Sequence, residues 1–488
     1  MNYFLENLLP EEREQLPYLP TVSDFLRFIG DRYGEKTALS EPDRELDYKT
    51  LVAQVEKKRA LLAERGVPKH VQIGLMSKNS VDAVEWFLAI ASYGCAAVMM
   101  PPSLQQEAVP GISAFFEIKL LVTDHPGLIE AGIGAIPVVA ASSVGTGECP
   151  AAEVDPKDTA AIFFTGGTTG KPKGVVLSQR ALMRGSLNGS YRKGTVYGQT
   201  FVAVLPFTHV FGMIFSLMSG LYTGAHIGVC GEMRNLFKEM QRVKPTTMIA
   251  VPGMAELMLM MAKARGLDFL GGRLQVVICG AAPVPTRLRE GFLPMGVEVL
   301  AGYGLTETAN LVSGNLDMDL HPASVGKQYP EQSRRFVNGE LQLKGDMLFD
   351  GYWKNEAATK EAFTEDGWFR TGDLAREDED GFLYITGRIK NLIILDNGEN
   401  VSPEEVEAFY YGCPMVKDCL ISETTINGKP AILLEVQPQP GVEDQALLDA
   451  LRAMTDKLPS TMRPARMDVR HEDFEKSPSM KIIRKGAK

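Results

Sequence analysis

VQIGLM (Val71 to Met76), SVDAVEWFLAIASYG (Ser80 to Gly94) and AAVMM (Ala96 to Met100) follow one another almost without a gap. The first and last are short apolar runs of the kind that form buried strands. Between them, fifteen residues carry apolar side chains at helical spacing and end on a glycine. Strand, helix, strand in that order needs a crossover connection and therefore an α/β layer around a parallel sheet. Working outward, the same theme returns at Leu120 to Thr123, Ile136 to Ala140, Thr159 to Phe164, Thr247 to Val251 and Val276 to Cys279. Helical spacing also marks residues 23 to 33 and 50 to 65.

After Gly339 the pattern changes. GELQLKG and GFLYITG predict antiparallel strands closed by turns. The last hundred or so residues alternate short strands (Cys419 to Ile421, Ala431 to Val436) with helices (Ser402 to Tyr411, Glu443 to Lys457). The expected architecture is thus a large multi-layer α/β portion over residues 1–388, with two sheets, helices and a small β-rich, barrel-like part over about 330–388. A boundary at 389–390 separates it from a smaller α+β portion over 391–488. A chain of 488 residues predicts two to four packed units.

Composition narrows the function. With 45% hydrophobic and 23% charged residues the chain is an ordinary globular one, so global disorder is excluded. Its 51 Lys+Arg against 61 Asp+Glu leave a net charge of −10, which argues against a dedicated nucleic-acid binder. Six cysteines with no CxxC pair suit reduced thiols in a cytoplasmic protein. The opening twenty residues lack the basic flank of a signal peptide, and the most apolar stretch (Phe87 to Met100) is too short to span a bilayer.

The strongest chemical signal is TGGTTGKPKG (Thr165 to Gly174), directly after the apolar AAIFF. Its glycines let backbone amides approach an anion closely, its threonines add hydroxyl donors, and Lys171 and Lys173 supply charge. That set suits the oxygens of a polyphosphate, yet it is not a GxxxxGK[ST] loop, because Thr165 and Pro172 stand where Gly and Ser/Thr are needed. In AGYGLTET (Ala301 to Thr308) glycines flank Tyr303, Thr306 offers a hydroxyl, and Glu307 offers a hard oxygen suited to Mg²⁺ alongside phosphate. Asp373, in WFRTGD (Trp368 to Asp373), is a carboxylate able to accept ribose hydroxyls. Two other features have structural readings. The acidic run Arg376 to Gly381 reads as a solvated hairpin turn, and the Met-rich Ala255 to Ala264 as a core helix.

TGGTTGKPKGV, AGYGLTET, WFRTGD, GRIKNLIILDNGENVSPEEVE (Gly387 to Glu407) and KSPSMKIIR (Lys476 to Arg484) together resemble, in order, the motifs of the adenylate-forming (AMP-binding) superfamily, most nearly its acyl-CoA synthetases. The resemblance implies ATP-dependent activation of a carboxylic acid to an acyl-adenylate, followed by transfer to coenzyme A. Cofactors would be ATP, Mg²⁺ and coenzyme A. It places ATP or AMP at Thr165, Gly166, Gly167, Thr168, Thr169, Gly170, Lys173, Gly280, Ala281, Ala282, Gly302, Tyr303, Gly304, Thr306, Asp373 and Arg388, with Glu307 at the metal. Lys481, Thr306 and His209 would be catalytic. His209, Phe211, Gly304 and Val325 would line the acyl pocket, Gly398 would lie on the thiol path, and Lys390 would be the hinge of a mobile C-terminal portion. The chain departs from the family at Gly166, where Ser is commoner, and at Met480, where Gly precedes the late lysine. No Asp occurs between Pro206 and Gly220 to neutralise an α-ammonium, so a fatty or aryl acid is expected rather than an α-amino acid. A carrier-protein phosphopantetheine as acceptor, a catalytically impaired nucleotide binder, and a homodimeric assembly remain open alternatives at this level.

Overall fold

A computed structural model describes residues 3–149, 153–165, 173–396, 398–426, 428–476 and 482–484. The opening stretch forms the expected unit: strand Gln72–Met76, helix Val81–Ser92 and strand Ala96–Met99, the two strands parallel and in register from Gln72 beside Ala96 to Leu75 beside Met99. Ser80 caps the helix, its hydroxyl accepting from the Ala83 N–H at 3.1 Å. Every residue of this helix but Asp82 is buried. It is therefore apolar all round, as a helix sandwiched between layers must be. Its one fully enclosed acid, Glu85, sits 3.2 Å from the equally enclosed Lys58, which compensates a charge that would otherwise be costly to bury.

Two large sheets carry the N-terminal portion. One has seven described strands, in the order Gly351–Tyr352, Lys173–Ser178, Thr159–Thr165, Ala96–Met99, Gln72–Met76, Ile118–Thr123 and Val138–Ala140. The other has nine, running from Lys327–Gln328 through Asn310–Asn315, Glu298–Leu305, Val276–Cys279, Thr247–Ala250, Thr200–Ala203, His226–Val229 and Thr37–Glu41 to Arg44–Asp47. The middle of each sheet is parallel; both edges of the nine-stranded sheet are antiparallel, whereas the seven-stranded sheet is antiparallel at the Gly351–Tyr352 end and parallel through to Val138–Ala140. One continuous apolar core fills the space between layers, from Phe4 to Ala375.

The β-rich part is a four-stranded antiparallel sheet, Gln332–Val337, Glu340–Gly345, Phe369–Glu377 and Leu383–Arg388. Among the described residues it stays open rather than closing like a barrel. Its last strand instead turns its free edge to the nine-stranded sheet, where Leu383 exchanges hydrogen bonds with Val325 (2.8 Å) and Gly326 (2.9 Å). The run after Glu377 is a tight turn between two of these strands, as its sequence predicts. A separate apolar core gathers Ile393 to Leu458 around the sheet Val416–Ile426, Lys429–Pro438 and Arg466–Val469, with helices Pro403–Tyr410 and Asp444–Thr455. Among the described residues no disulfide joins any of the six cysteines, and no helix is long and apolar enough to cross a membrane.

Candidate active site

Parallel strands expose their carboxyl ends on one side of a sheet, and loops leaving those ends collect there. In the nine-stranded sheet Cys279 pairs with Ala301, so Gly280-Ala281-Ala282 and Gly302-Tyr303-Gly304 emerge side by side. Ala281 holds φ +67°, a left-handed conformation unusual for a residue with a Cβ and a form of backbone strain that collects at binding sites. The GYG stretch is not a turn but part of strand Glu298–Leu305, and its glycines answer to the neighbouring chain. A Cβ on Gly304 would lie 2.0 Å from the Asn310 carbonyl oxygen, and one on Gly302 2.7 Å from the Leu311 side chain.

From this strand the Tyr303 hydroxyl donates to Asp373 Oδ2 at 2.5 Å. Asp373 lies within strand Phe369–Glu377, directly opposite Arg388, and is only 3% exposed. Arg388 engages both carboxylate oxygens, Nε on Oδ1 and Nη2 on Oδ2 at 3.3 Å. A carboxylate has about four lone-pair directions. Three are taken here, which leaves room for one external donor unless a ligand displaces a partner. Burial, then the Asp373 charge, pushes the Tyr303 phenol well above its ordinary range, so it stays a donor.

The second cluster surrounds Glu307, in the short 3₁₀ turn Thr306–Thr308. Its Oε1 accepts from the Tyr352 hydroxyl at 2.9 Å, and the Lys173 ammonium stands 4.7 Å from the centroid of the Tyr352 ring. Lys173 opens strand Lys173–Ser178, where the Gly/Thr stretch ends. The two clusters form one neighbourhood: Arg388 feels the charges of Asp373 and Glu307, and Lys390 those of Arg388, Asp373, Glu404 and Lys173. Partial burial, then Arg388, lowers the Lys390 pKa below the ordinary lysine value. Tyr352 is a site residue that sequence reading missed. A Tyr after Asp350-Gly351 carries no chemical signal by itself, and only its pairing with Val175 brings it here.

Other candidates fall nearby or elsewhere. The Phe211 ring packs on Gly280, where a Cβ would lie 2.8 Å from it, and stacks on Phe215 at 5.3 Å. Both belong to Phe211–Met218, a π-helix, a rare element frequent at functional sites. His209 stands at the head of that helix; its carbonyl accepts from Gly212 and Met213, and the residue is exposed, although Phe207 and Val210 around it are buried. Asn79 anchors this approach by bonding the Leu205 carbonyl and the Phe207 N–H, each at 2.9 Å. Val325 is half-buried, its carbonyl accepting from Ser313. Gly398, at φ +80°, lies in the turn between strands Ile393–Ile394 and Asn400–Val401.

Gly166, Gly167, Thr168, Thr169, Gly170 and Lys481 lie outside the described residues, as does the side chain of Thr165. The flanks of the terminal motif are described. Lys476 pairs with Asp418 at 2.7 Å, while Arg484 pairs with Glu407 at 2.5 Å and donates to the Ile421 carbonyl at 2.7 Å. Among the described residues no three His, Cys, Asp or Glu side chains converge as a metal cage. Glu307 instead offers a single carboxylate, and Mg²⁺ commonly binds through one or two carboxylates plus substrate phosphates. The donor set fits that mode.

Among known proteins, the long-chain-fatty-acid–CoA ligase FadD15 of Mycobacterium bovis is 31% identical over 334 residues, 58% of this chain and 55% of its own length. The chain thus matches little more than half of that relative. A 2-succinylbenzoate–CoA ligase of Bacillus licheniformis is 28% identical over 404 residues, covering 79% of this chain and 83% of its own. The o-succinylbenzoate CoA synthetase of Bacillus subtilis, solved with its acyl-adenylate intermediate, shares the fold at a TM-score of 0.80 and 22% identity, covering 95% of this chain and 97% of that one. The family model described as "AMP-binding enzyme" matches residues 27–353, from within helix Val22–Tyr33 to just past the strand that bears Tyr352. On that match, which takes in more than half of its length and all of the Glu307 cluster, the chain belongs to the AMP-binding enzyme family.

Proposed function

We propose that the chain activates a carboxylic acid with ATP and transfers the acyl group to coenzyme A. An acid oxygen bonds to the α-phosphorus as the bond to pyrophosphate breaks. The thiol sulfur then bonds to the acyl carbon, AMP leaves, and the thiol proton goes to solvent or a base. The observation that carries the reading is the gathering of Asp373, Arg388 and Tyr303 with Glu307, Tyr352 and Lys173 in one neighbourhood where strand Lys173–Ser178 begins. Asp373 would take a ribose hydroxyl, and the small Gly280-Ala281-Ala282 edge would leave a slot for adenine beside Tyr303. Thr306 and Lys173 would hold phosphate oxygens, and Glu307 would hold Mg²⁺. When bound, Mg²⁺ supplies charge that offsets the polyphosphate.

Lys481 would stabilise the charge that builds between the two reacting anions, an electrostatic role a long cation serves well. Its neighbours Lys476 and Arg484 are fastened to the C-terminal sheet on either side of it. Lys390 would be the pivot and Gly398 a point on the thiol path. Phe211, stacked on Phe215, makes the surface beside Gly280 apolar. That favours an aliphatic or aryl acid. Incubation with ATP, Mg²⁺, coenzyme A and a panel of fatty, aryl and dicarboxylic acids, read by mass spectrometry, tests the proposal. It predicts an acyl-AMP with at least one apolar acid and its thioester when coenzyme A is present. Acyl-AMP without thioester would refute the acceptor; neither product would refute the reaction.

A further inference from the structure

Tyr352, at a sheet edge, is held from several directions. Its strand pairs antiparallel with Lys173–Ser178, Tyr352 opposite Val175. On either side, the Asp350 N–H donates to the Val176 carbonyl at 2.9 Å and the Trp353 N–H to the Gly174 carbonyl at 2.7 Å. The Tyr352 N–H donates to Thr359 Oγ1 at 2.9 Å, and the Phe349 ring meets the Tyr352 ring edge-on at 4.9 Å. Phe349 also ties this segment to the Glu307 turn, its N–H donating to the Glu307 carbonyl at 2.8 Å. The backbone therefore fixes one phenol between two groups from different sheets, Glu307 and Lys173.

We propose that Tyr352 is a positioning residue for both halves of the phosphate grip. Its hydroxyl holds one oxygen of Glu307 and leaves the other for a divalent cation, and its ring face holds the Lys173 ammonium near the end of the Gly/Thr stretch. This rests on the ATP–Mg²⁺ reading above. A carboxylate already held in one rotamer loses less freedom on binding a metal, and outer partners of this kind commonly change metal affinity 10–100-fold. A cation over an aromatic face is attracted by the ring quadrupole, independently of the hydroxyl. One side chain thus has two separable effects, and substitutions can separate them.

The test measures binding rather than turnover, with the non-hydrolysable analogue β,γ-imido-ATP and with Mn²⁺ followed by electron paramagnetic resonance. Tyr352→Phe keeps the ring and loses the hydroxyl. Mn²⁺ affinity of its protein–nucleotide complex should fall by about 10-fold or more, with metal-free nucleotide affinity within about twofold of wild type. Tyr352→Leu loses both and should also weaken metal-free nucleotide binding, by about 3–5-fold. Glu307→Gln, which removes the carboxylate itself, should weaken Mn²⁺ at least as much as Tyr352→Phe, and the double variant should be no worse than Glu307→Gln alone, as groups acting through one contact require. Mn²⁺ binding unchanged in Tyr352→Phe, or additive losses in the double variant, would overturn the proposal. Wild-type protein that binds no nucleotide would overturn the reading beneath it.

Discussion

Asp373 is 3% exposed and shared between a phenol and a guanidinium, so its contacts cannot be trimmed singly without leaving a partner unsatisfied. Asp373→Asn replaces one acceptor with a donor facing Tyr303 or Arg388. We expect a stability loss of about 1.5–3 kcal/mol in urea titrations, the range for hydrogen bonds to charged groups, together with weakened nucleotide binding. A variant as stable as wild type would contradict the pairing. Glu407 makes a different prediction. Burial pushes its carboxyl up to about 7, although Arg484 and the Ile421 N–H oppose the rise. A folded value above the ordinary 4.5 means that the native state holds the proton more tightly than the unfolded chain. Its contribution to stability is therefore complete below about 4.5 and is lost as pH rises through about 7. Glu407→Gln should flatten the decline in melting temperature between those values; an unchanged slope would assign the decline to other groups.

At the scale of elements, the parallel sheets were legible because short apolar runs bounded by turns have few other solutions. VQIGLM, AAVMM and VVIC all became buried strands within a residue or two of their apolar limits. The site was legible only as separate motifs. Tyr303 and Asp373 are 70 residues apart, and Tyr352 and Glu307 are 45 apart, and nothing local records such pairings. The π-helix at Phe211–Met218 was equally hidden, since its apolar content matches an ordinary buried helix; what sets it apart is Gly212, where a Cβ would lie 2.2 Å from the Pro206 carbonyl oxygen. The resemblance places Gly304 at the nucleotide and the acyl pocket, but its missing side chain first serves the close approach of Asn310. Gly304→Ala should therefore destabilise the protein by about 1–3 kcal/mol or more through overpacking against backbone, measured by urea unfolding. A change under about 0.5 kcal/mol would show that the two strands separate easily.

At the scale of the whole molecule, the two portions meet at a contact that tolerates no side chain. Ser402, the cap of helix Pro403–Tyr410, donates to the Thr386 carbonyl at 2.6 Å, and a Cβ on Gly387 would lie 2.0 Å from its hydroxyl oxygen. Beside it, Asn391 donates to Glu404 at 2.5 Å. If the C-terminal portion swings about Lys390 between two reaction steps, Gly387→Ala should disfavour the arrangement seen here and change the ratio of thioester formation to adenylation. Ser402→Gly, which removes the clash at little cost to the helix cap, should restore that ratio in the double variant. Equal loss of both steps, without rescue, would argue against a swinging portion. The central claim, that ATP and an acid react beside Asp373 and Glu307, is tested most directly by acid-dependent exchange of labelled pyrophosphate into ATP. The account predicts exchange with at least one apolar acid, reduced about 100-fold or more in folded Asp373→Ala, the scale of losing a preorganised group; exchange absent with every acid, or undiminished in that variant, would contradict it.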